Sequence, residues 1–281
     1  MSRTNRPVLS GCLALSAAGV LTAGCAAPSA SRVAASGASV PAVRAAAIDR
    51  AVWASADGWS HAERTALRLN QKQEAAGRSV REAGWFALGY DDEAVYLRAE
   101  LDDADLVCLA ERDGDSLFRR GDTLEWFIGP PARIEADGTT RLGWYLELHV
   151  SPTGLRTATR WLRPGLAEVI GDAPFEAAVT RRGTANAHRD VDAGWSATLR
   201  LPWAALRAID PSWTMDRPLT TLVARYNYGH HLPRDADGAG GPELSMFPPQ
   251  PRTAFHLRTH HAPLELVPEP NRSAPSTEAS P

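Results

Sequence analysis

The sequence predicts an all-β fold, an antiparallel β-sandwich with short helical insertions. Two observations carry this reading. Apolar residues recur at every second position in several separate stretches, the period of a half-buried strand. Clusters of Gly, Pro, Asp and Ser punctuate those stretches, so the strands are short and turn sharply. Many short strands joined by such turns build a layered antiparallel domain.

Taken in chain order, strands are expected first at Trp85 to Tyr90 and then at Val95 to Leu101, where Val95, Leu97, Ala99 and Leu101 alternate with Tyr96, Arg98 and Glu100. Leu124, Trp126 and Ile128 alternate with Glu125 and Phe127, and Trp144, Leu146, Leu148 and Val150 alternate with Tyr145, Glu147 and His149. Further strands are expected at Leu155 to Trp161, Phe175 to Thr180, Trp195 to Leu201 and Leu219 to Tyr228. The turns fall at Asp91-Asp92, Gly129-Pro130-Pro131, Ser151-Pro152-Thr153-Gly154 and Asp237-Gly238. Helical periodicity is confined to Ala62 to Ala75 and to the short turn Trp203 to Ala208.

The two ends have a different character. Arg3 and Arg6 precede an apolar run from Leu9 to Leu21, shorter than the roughly 20 residues that span a bilayer. A basic start, a short apolar run and small residues before a cut describe a secretory signal. Because Val20-Leu21-Thr22-Ala23-Gly24 ends in Cys25, the segment resembles a bacterial lipoprotein signal, which implies diacylation of Cys25 as the mature N-terminus. Leu9-Ser10-Gly11-Cys12 fits the short motif better but lacks an apolar run before it, so Cys25 is the expected lipidation site. With alanine after Cys25, the expected destination in a Gram-negative host is the outer membrane. The expected organisation is a signal peptide over 1–24, an acylated cysteine and flexible tether over 25–45, a β domain over 46–267 and a disordered tail over 268–281.

Composition narrows the function. The formal charge is −3, there is a single lysine (Lys72), and the arginines are scattered. No basic stripe is present, so nucleic-acid binding is not expected. Of the three cysteines, Cys12 leaves with the signal and Cys25 carries lipid, which leaves Cys108 with no partner for a disulfide. In Leu106-Val107-Cys108-Leu109 it reads as a small buried hydrophobe.

The order of segments resembles carbohydrate-binding module family 9. The resemblance rests on Ala47-Ile48-Asp49 with Trp53, on Gly89 to Asp103, on Gly121-Asp122-Thr123-Leu124-Glu125-Trp126-Phe127-Ile128, and on Tyr145 to Ser151. Gly194 to Trp203, Phe255-His256 and Leu264-Glu265-Leu266 complete it, so that it covers roughly residues 46 to 267. It implies a non-catalytic β-sandwich that holds a sugar on one sheet face, between two aromatic rings and against polar strand residues. Glu125 matches the family's glutamate after the Asp122 motif, Glu147 and His149 match polar positions on the next long strand, and Arg225 and Asn227 match polar positions late in the domain. One ring of the clamp would fall near Arg119, beside Phe118, and the other at Phe255; the family's tryptophan pair is absent. The chemistry is sound, since a pyranose has an apolar face for a ring and hydroxyls for carboxylates, amides or guanidinium groups.

Other groupings in the sequence suggest other ligands. Asp102, Asp103 and Asp105 offer hard oxygens to calcium, which the resemblance also allows. A related haem-binding sandwich would need axial ligands, for which Met215, Met246, Lys72 and the histidines are available. The pairs His230-His231 and His260-His261 lack the spacing of a zinc site. Glu125 and Glu147 could serve glycoside hydrolysis, but no other catalytic arrangement accompanies them. A scaffold that has lost its ligand is the remaining alternative. The expected partners are a carbohydrate and, through the lipid, a membrane; no cofactor is required and a monomer is expected.

Overall fold

A computed structural model describes residues 43–163, 165–229 and 241–267. Cys25 with its signal and most of the tether, the pair His230-His231, the turn Asp237-Gly238 and the tail from Pro268 lie outside the described residues.

The described chain is built from strands β1 (Val43–Ala47), β2 (Thr65–Ala66), β3 (Gly84–Tyr90), β4 (Ala94–Leu101), β5 (Thr123–Gly129), β6 (Arg133–Ile134), β7 (Thr140–Arg141) and β8 (Tyr145–Val150). They continue with β9 (Arg156–Arg163), β10 (Leu166–Ile170), β11 (Glu176–Arg181), β12 (Trp195–Pro202), β13 (Leu219–Asn227), β14 (Glu243–Phe247) and β15 (Ala262–Val267). Two short helices, α1 (Gln71–Ala75) and α2 (Trp203–Ile209), interrupt them.

One sheet runs in the order β10-β9-β8-β5-β13-β15-β1-β3-β4-β12-β11, with β14 on β13 and β2 on β3. The expected purely antiparallel pattern needs correction here. β1 pairs parallel with both β15 and β3, so the sheet is mixed. The reason is that the first and last strands of the domain enter side by side in one direction. The strand also begins at Val43, inside the stretch expected to be tether.

The sheet closes over its own core. Leu124, Trp126 and Ile128 of β5 and Leu146, Leu148 and Val150 of β8 belong to the same buried cluster as Phe86, Leu88, Leu97, Leu101, Trp195 and Leu199 from the other end of the strand order. Strands that distant in a sheet share a core only if the sheet curls. Trp203 of α2 stacks on Trp213 beneath the same core, with ring centroids 5.3 Å apart.

Ala62 to Ala75 differs from the expected helix. Only Gln71–Ala75 is helical, started by a capping box in which Asn70 and Gln73 exchange side-chain-to-backbone hydrogen bonds. Upstream, Leu67 and Leu69 are buried alternately, a period of two that extends the edge formed by β2. Trp203 to Ala208 is helical as expected.

Gly121 sets the start of β5. It sits at φ +147°, and a Cβ there would fall 2.2 Å from the carbonyl oxygen of Val107. That close approach lets Asp122 accept from the Val107 amide at 2.6 Å and from the Tyr228 amide at 2.7 Å.

Candidate binding site

Strand register decides which of the sequence-predicted residues meet. Glu125 of β5 lies directly opposite His149 of β8, and Glu147 is two residues along β8, so all three leave the sheet on one face. That face is opposite Leu124, Trp126, Leu146 and Leu148, as the alternation predicts. The three side chains converge: His149 Nε2 donates to Glu147 Oε1 at 3.0 Å and lies 3.2 Å from Glu125 Oε1. The face is not the open, solvated surface that a sheet of this kind can present. Glu125, Glu147 and His149 are 1%, 7% and 3% exposed.

Burial at this density divides the charges. Burial pushes the Glu125 carboxyl up to about 8, with the Glu147 charge adding to the rise and His149 opposing it. Burial acts on Glu147 in the same direction, but hydrogen bonding and charge from His149, with help from His256 and Trp161, outweigh it and hold its carboxyl low. Burial would lower His149, yet the two glutamates together raise it. The two glutamates of one unit are thus pushed in opposite directions, Glu125 up and Glu147 down, with His149 drawn up between them. Glu125 Oε2 and His149 Nδ1 are buried with no hydrogen-bond partner.

Aromatic rings frame the triad. Phe118 packs edge-on against His149 (5.7 Å) and against Tyr226 (5.5 Å). Trp161 of β9 donates its indole N–H to Glu147 Oε2 at 2.5 Å and stacks on Tyr145 at an interplanar angle of 6°. His256 lies 4.6 Å from the Trp161 ring and bonds the Tyr145 hydroxyl at 2.9 Å. Phe118, Trp161 and Tyr226 are half-buried and His256 is exposed, so the rim offers ring surface to solvent. Arg119 stands exposed beside this rim, its guanidinium 5.4 Å from the Phe118 ring centre.

Phe255 does not serve as the second ring. It is 6% exposed and packs with Phe127, Tyr145, Leu222, Ala224 and Met246 beneath Tyr226. Trp161 and Tyr226 are the half-buried rings nearby instead. Phe255→Ala should therefore cost about 3 kcal/mol of stability, as for other buried aromatic deletions. Denaturant unfolding checks this, and an unchanged midpoint would return Phe255 to the surface role.

Arg225 and Asn227 are not brought to the triad. β13 pairs with β5 so that Ala224 faces Glu125, while Arg225 faces Leu124. Arg225 and Asn227 therefore point to the opposite, core-side face. There Arg225 is 1% exposed and donates to Asp103 Oδ2 (3.1 Å) and to the Asp102 carbonyl (2.6 Å), and Asn227 donates to Glu82 Oε2 (2.5 Å). Arg225 ties β13 to the segment that follows β4, and Asn227 ties it to the segment that precedes β3.

Of the aspartates considered for calcium, Asp103 and Asp105 are engaged internally, while Asp102 is exposed. Asp103 takes Arg225 and the Asp105 amide, and Asp105 pairs with His188 at 2.9 Å. The residues considered for haem are scattered: Met246 is buried beside Phe127, Met215 packs on the main core, and Lys72 is exposed on α1. His261 is buried and donates to the Phe255 carbonyl at 2.7 Å.

Sequence reasoning left Trp161 and Tyr226 without roles at the site. The signal was present in the pairing pattern, because Trp161 lies across from Tyr145, on the face that carries Glu147.

No protein-family model matches the chain, and no curated protein matches it. Solved structures do. A protein of Bacteroides uniformis ATCC 8492, provisionally described as carbohydrate-binding, superposes with a TM-score of 0.60 over 82% of this chain and 100% of its own, at 11% identity. A family 9 carbohydrate-binding module from Caldicellulosiruptor kristjanssonii is similar at a TM-score of 0.46, in complex with cellotriose (13% identity, 83% of this chain and 96% of its own). Its complex with glucose is similar at 0.46 (12% identity, 83% and 99%). The likeness to the Bacteroides protein shows a shared fold.

Proposed function

We infer that this chain is a non-catalytic carbohydrate-binding protein whose site is the face of β5, β8 and β9. One observation carries the reading: a buried polar triad, Glu125, Glu147 and His149, opens onto a rim of half-buried rings, Phe118, Trp161 and Tyr226. A pyranose needs both parts, a ring face for its C–H surface and fixed acceptors and donors for its hydroxyls. The fold shared with the Bacteroides protein supports the same reading. Hydrolysis fits less well. Flanking carboxyl groups of a glycosidase stand about 5–9.5 Å apart around the scissile bond, whereas here a carboxylate oxygen from each glutamate bonds or abuts the same His149 nitrogen, at 3.0 and 3.2 Å.

A glycan array probed with the full chain should identify a ligand. Trp161→Ala should then weaken it by about 1–2 kcal/mol, roughly 5- to 30-fold, through lost ring contact. An array with no positive, or unchanged affinity in the variant, would contradict the reading.

The lipid anchor is part of the proposal. Acylation of Cys25 would hold the domain at the cell envelope, most simply on the outer membrane. Cys25→Ser should move the protein from the detergent phase to the aqueous phase, while Cys12→Ser leaves partitioning unchanged. Equal partitioning of wild type and Cys25→Ser would refute it.

A further inference from the structure

We propose that Glu125, Glu147 and His149 bind a divalent transition-metal ion of the zinc or manganese type. They are the one group of three or more metal-ligating side chains found among the described residues, with one candidate ligand atom from each within 4.8 Å of the others.

The donor set has the right chemistry. One imidazole nitrogen and two carboxylate oxygens suit zinc, manganese or iron, while calcium takes six to eight oxygens. The spacing fits as well. Bonds of about 2.0–2.2 Å place neighbouring ligand atoms roughly 3.0–3.5 Å apart in octahedral or tetrahedral geometry. The observed separations from His149 Nε2 are 3.0 Å to Glu147 Oε1 and 3.2 Å to Glu125 Oε1.

Charge and satisfaction point the same way. Once the metal displaces the Nε2 proton and any proton on the glutamates, two carboxylates and a neutral imidazole balance a divalent cation, which matters where the three side chains are 2%, 8% and 3% exposed. Glu125 Oε2, the second oxygen of a carboxylate already in the group, is buried without any partner. A cation would be that partner, since a buried acceptor left unmade is costly. Trp161 supports the arrangement from outside by holding Glu147 Oε2 at 2.5 Å, which leaves Oε1 turned to His149. The ligands come from adjacent, directly paired strands, so the sheet itself fixes their spacing.

The inference concerns the same face as the proposed sugar site but holds whether or not a sugar binds. It is tested with metal alone. The full chain, stripped with chelator, is titrated with Zn²⁺, Mn²⁺ and Ca²⁺ by calorimetry, and retained metal is counted after dialysis. One Zn²⁺ or Mn²⁺ per chain is expected, with Ca²⁺ much weaker, and Glu125→Gln and His149→Gln should each weaken binding at least about tenfold. Co²⁺ on the wild type gives a readout that does not depend on the variants folding. It should shift or broaden the Trp161 indole N–H resonance, because that group bonds Glu147. No stoichiometric metal, undiminished binding in folded variants, or a Trp161 resonance untouched by bound Co²⁺ would each overturn the proposal.

Discussion

Trp126→Ala is expected to destabilise the domain by about 3–5 kcal/mol. Trp126 lies on β5 with 0% exposure, in the cluster that joins both ends of the curled sheet. Its indole N–H donates to Thr221 Oγ1 at 2.9 Å, and that hydroxyl donates to the Phe127 carbonyl at 3.1 Å. Alanine would leave a cavity against strands that cannot all close on it, and would strip Thr221 of a partner. Urea unfolding followed by circular dichroism measures the loss. A change below about 1 kcal/mol would mean that the sheet does not close over a common core as described.

Arg225→Leu should cost a similar amount, about 3–5 kcal/mol, because it removes one side of a buried ion pair and leaves the other. Arg225 is the cation within reach of Asp103 (3.1 Å) and Glu82 (3.8 Å), and it also satisfies the Asp102 carbonyl. The effect carries a pH signature. Burial raises Asp103 to about 6 against the pull of Arg225, and burial with the Asp103 charge raises Asp122 to about 8. Folded-state values above the unfolded ones mean that the folded state holds more protons. Their contribution to stability is complete below about pH 4 and is lost as pH rises through 6 and then 8. The deficit of Arg225→Leu should therefore be larger at pH 8, where Asp103 is charged, than at pH 5. Thermal unfolding at the two values decides it, and a deficit that grows towards acid would contradict the assignment.

Much of the fold was legible because burial on one face writes a period of two into the sequence. β3, β4, β5, β8, β9, β11, β12 and β13 all stand within a residue or two of where alternation placed them. The strands it missed are instructive. β1 reads Val-Arg-Ala-Ala-Ala, too small in side-chain volume to stand out from the Ala-rich stretch before it, and it is a strand because β15 and β3 flank it. β10 is mostly exposed, so no buried face marks it.

The site shows the same limit. Alternation put Glu125, Glu147 and His149 on one face, and the register of β5 against β8 brings them together. Alternation within β13 alone could not say which face of that strand joins them, and the β5 register turns Arg225 and Asn227 away. The rings were harder. Phe255 lies outside any strand, and its burial under Tyr226 depends on how the segment after β14 folds back over β13.

If a sugar rests at the β5–β8–β9 face, the nine tryptophans report on it directly. Two-dimensional indole N–H spectra should be recorded while a glycan-array hit is titrated into the full chain. Trp161, at the rim and bonded to Glu147, should shift progressively to saturation. Trp126, Trp195, Trp203 and Trp213, each no more than 2% exposed in the main core, should hold still. Saturable binding that leaves the Trp161 resonance unmoved would place the ligand elsewhere and contradict the account.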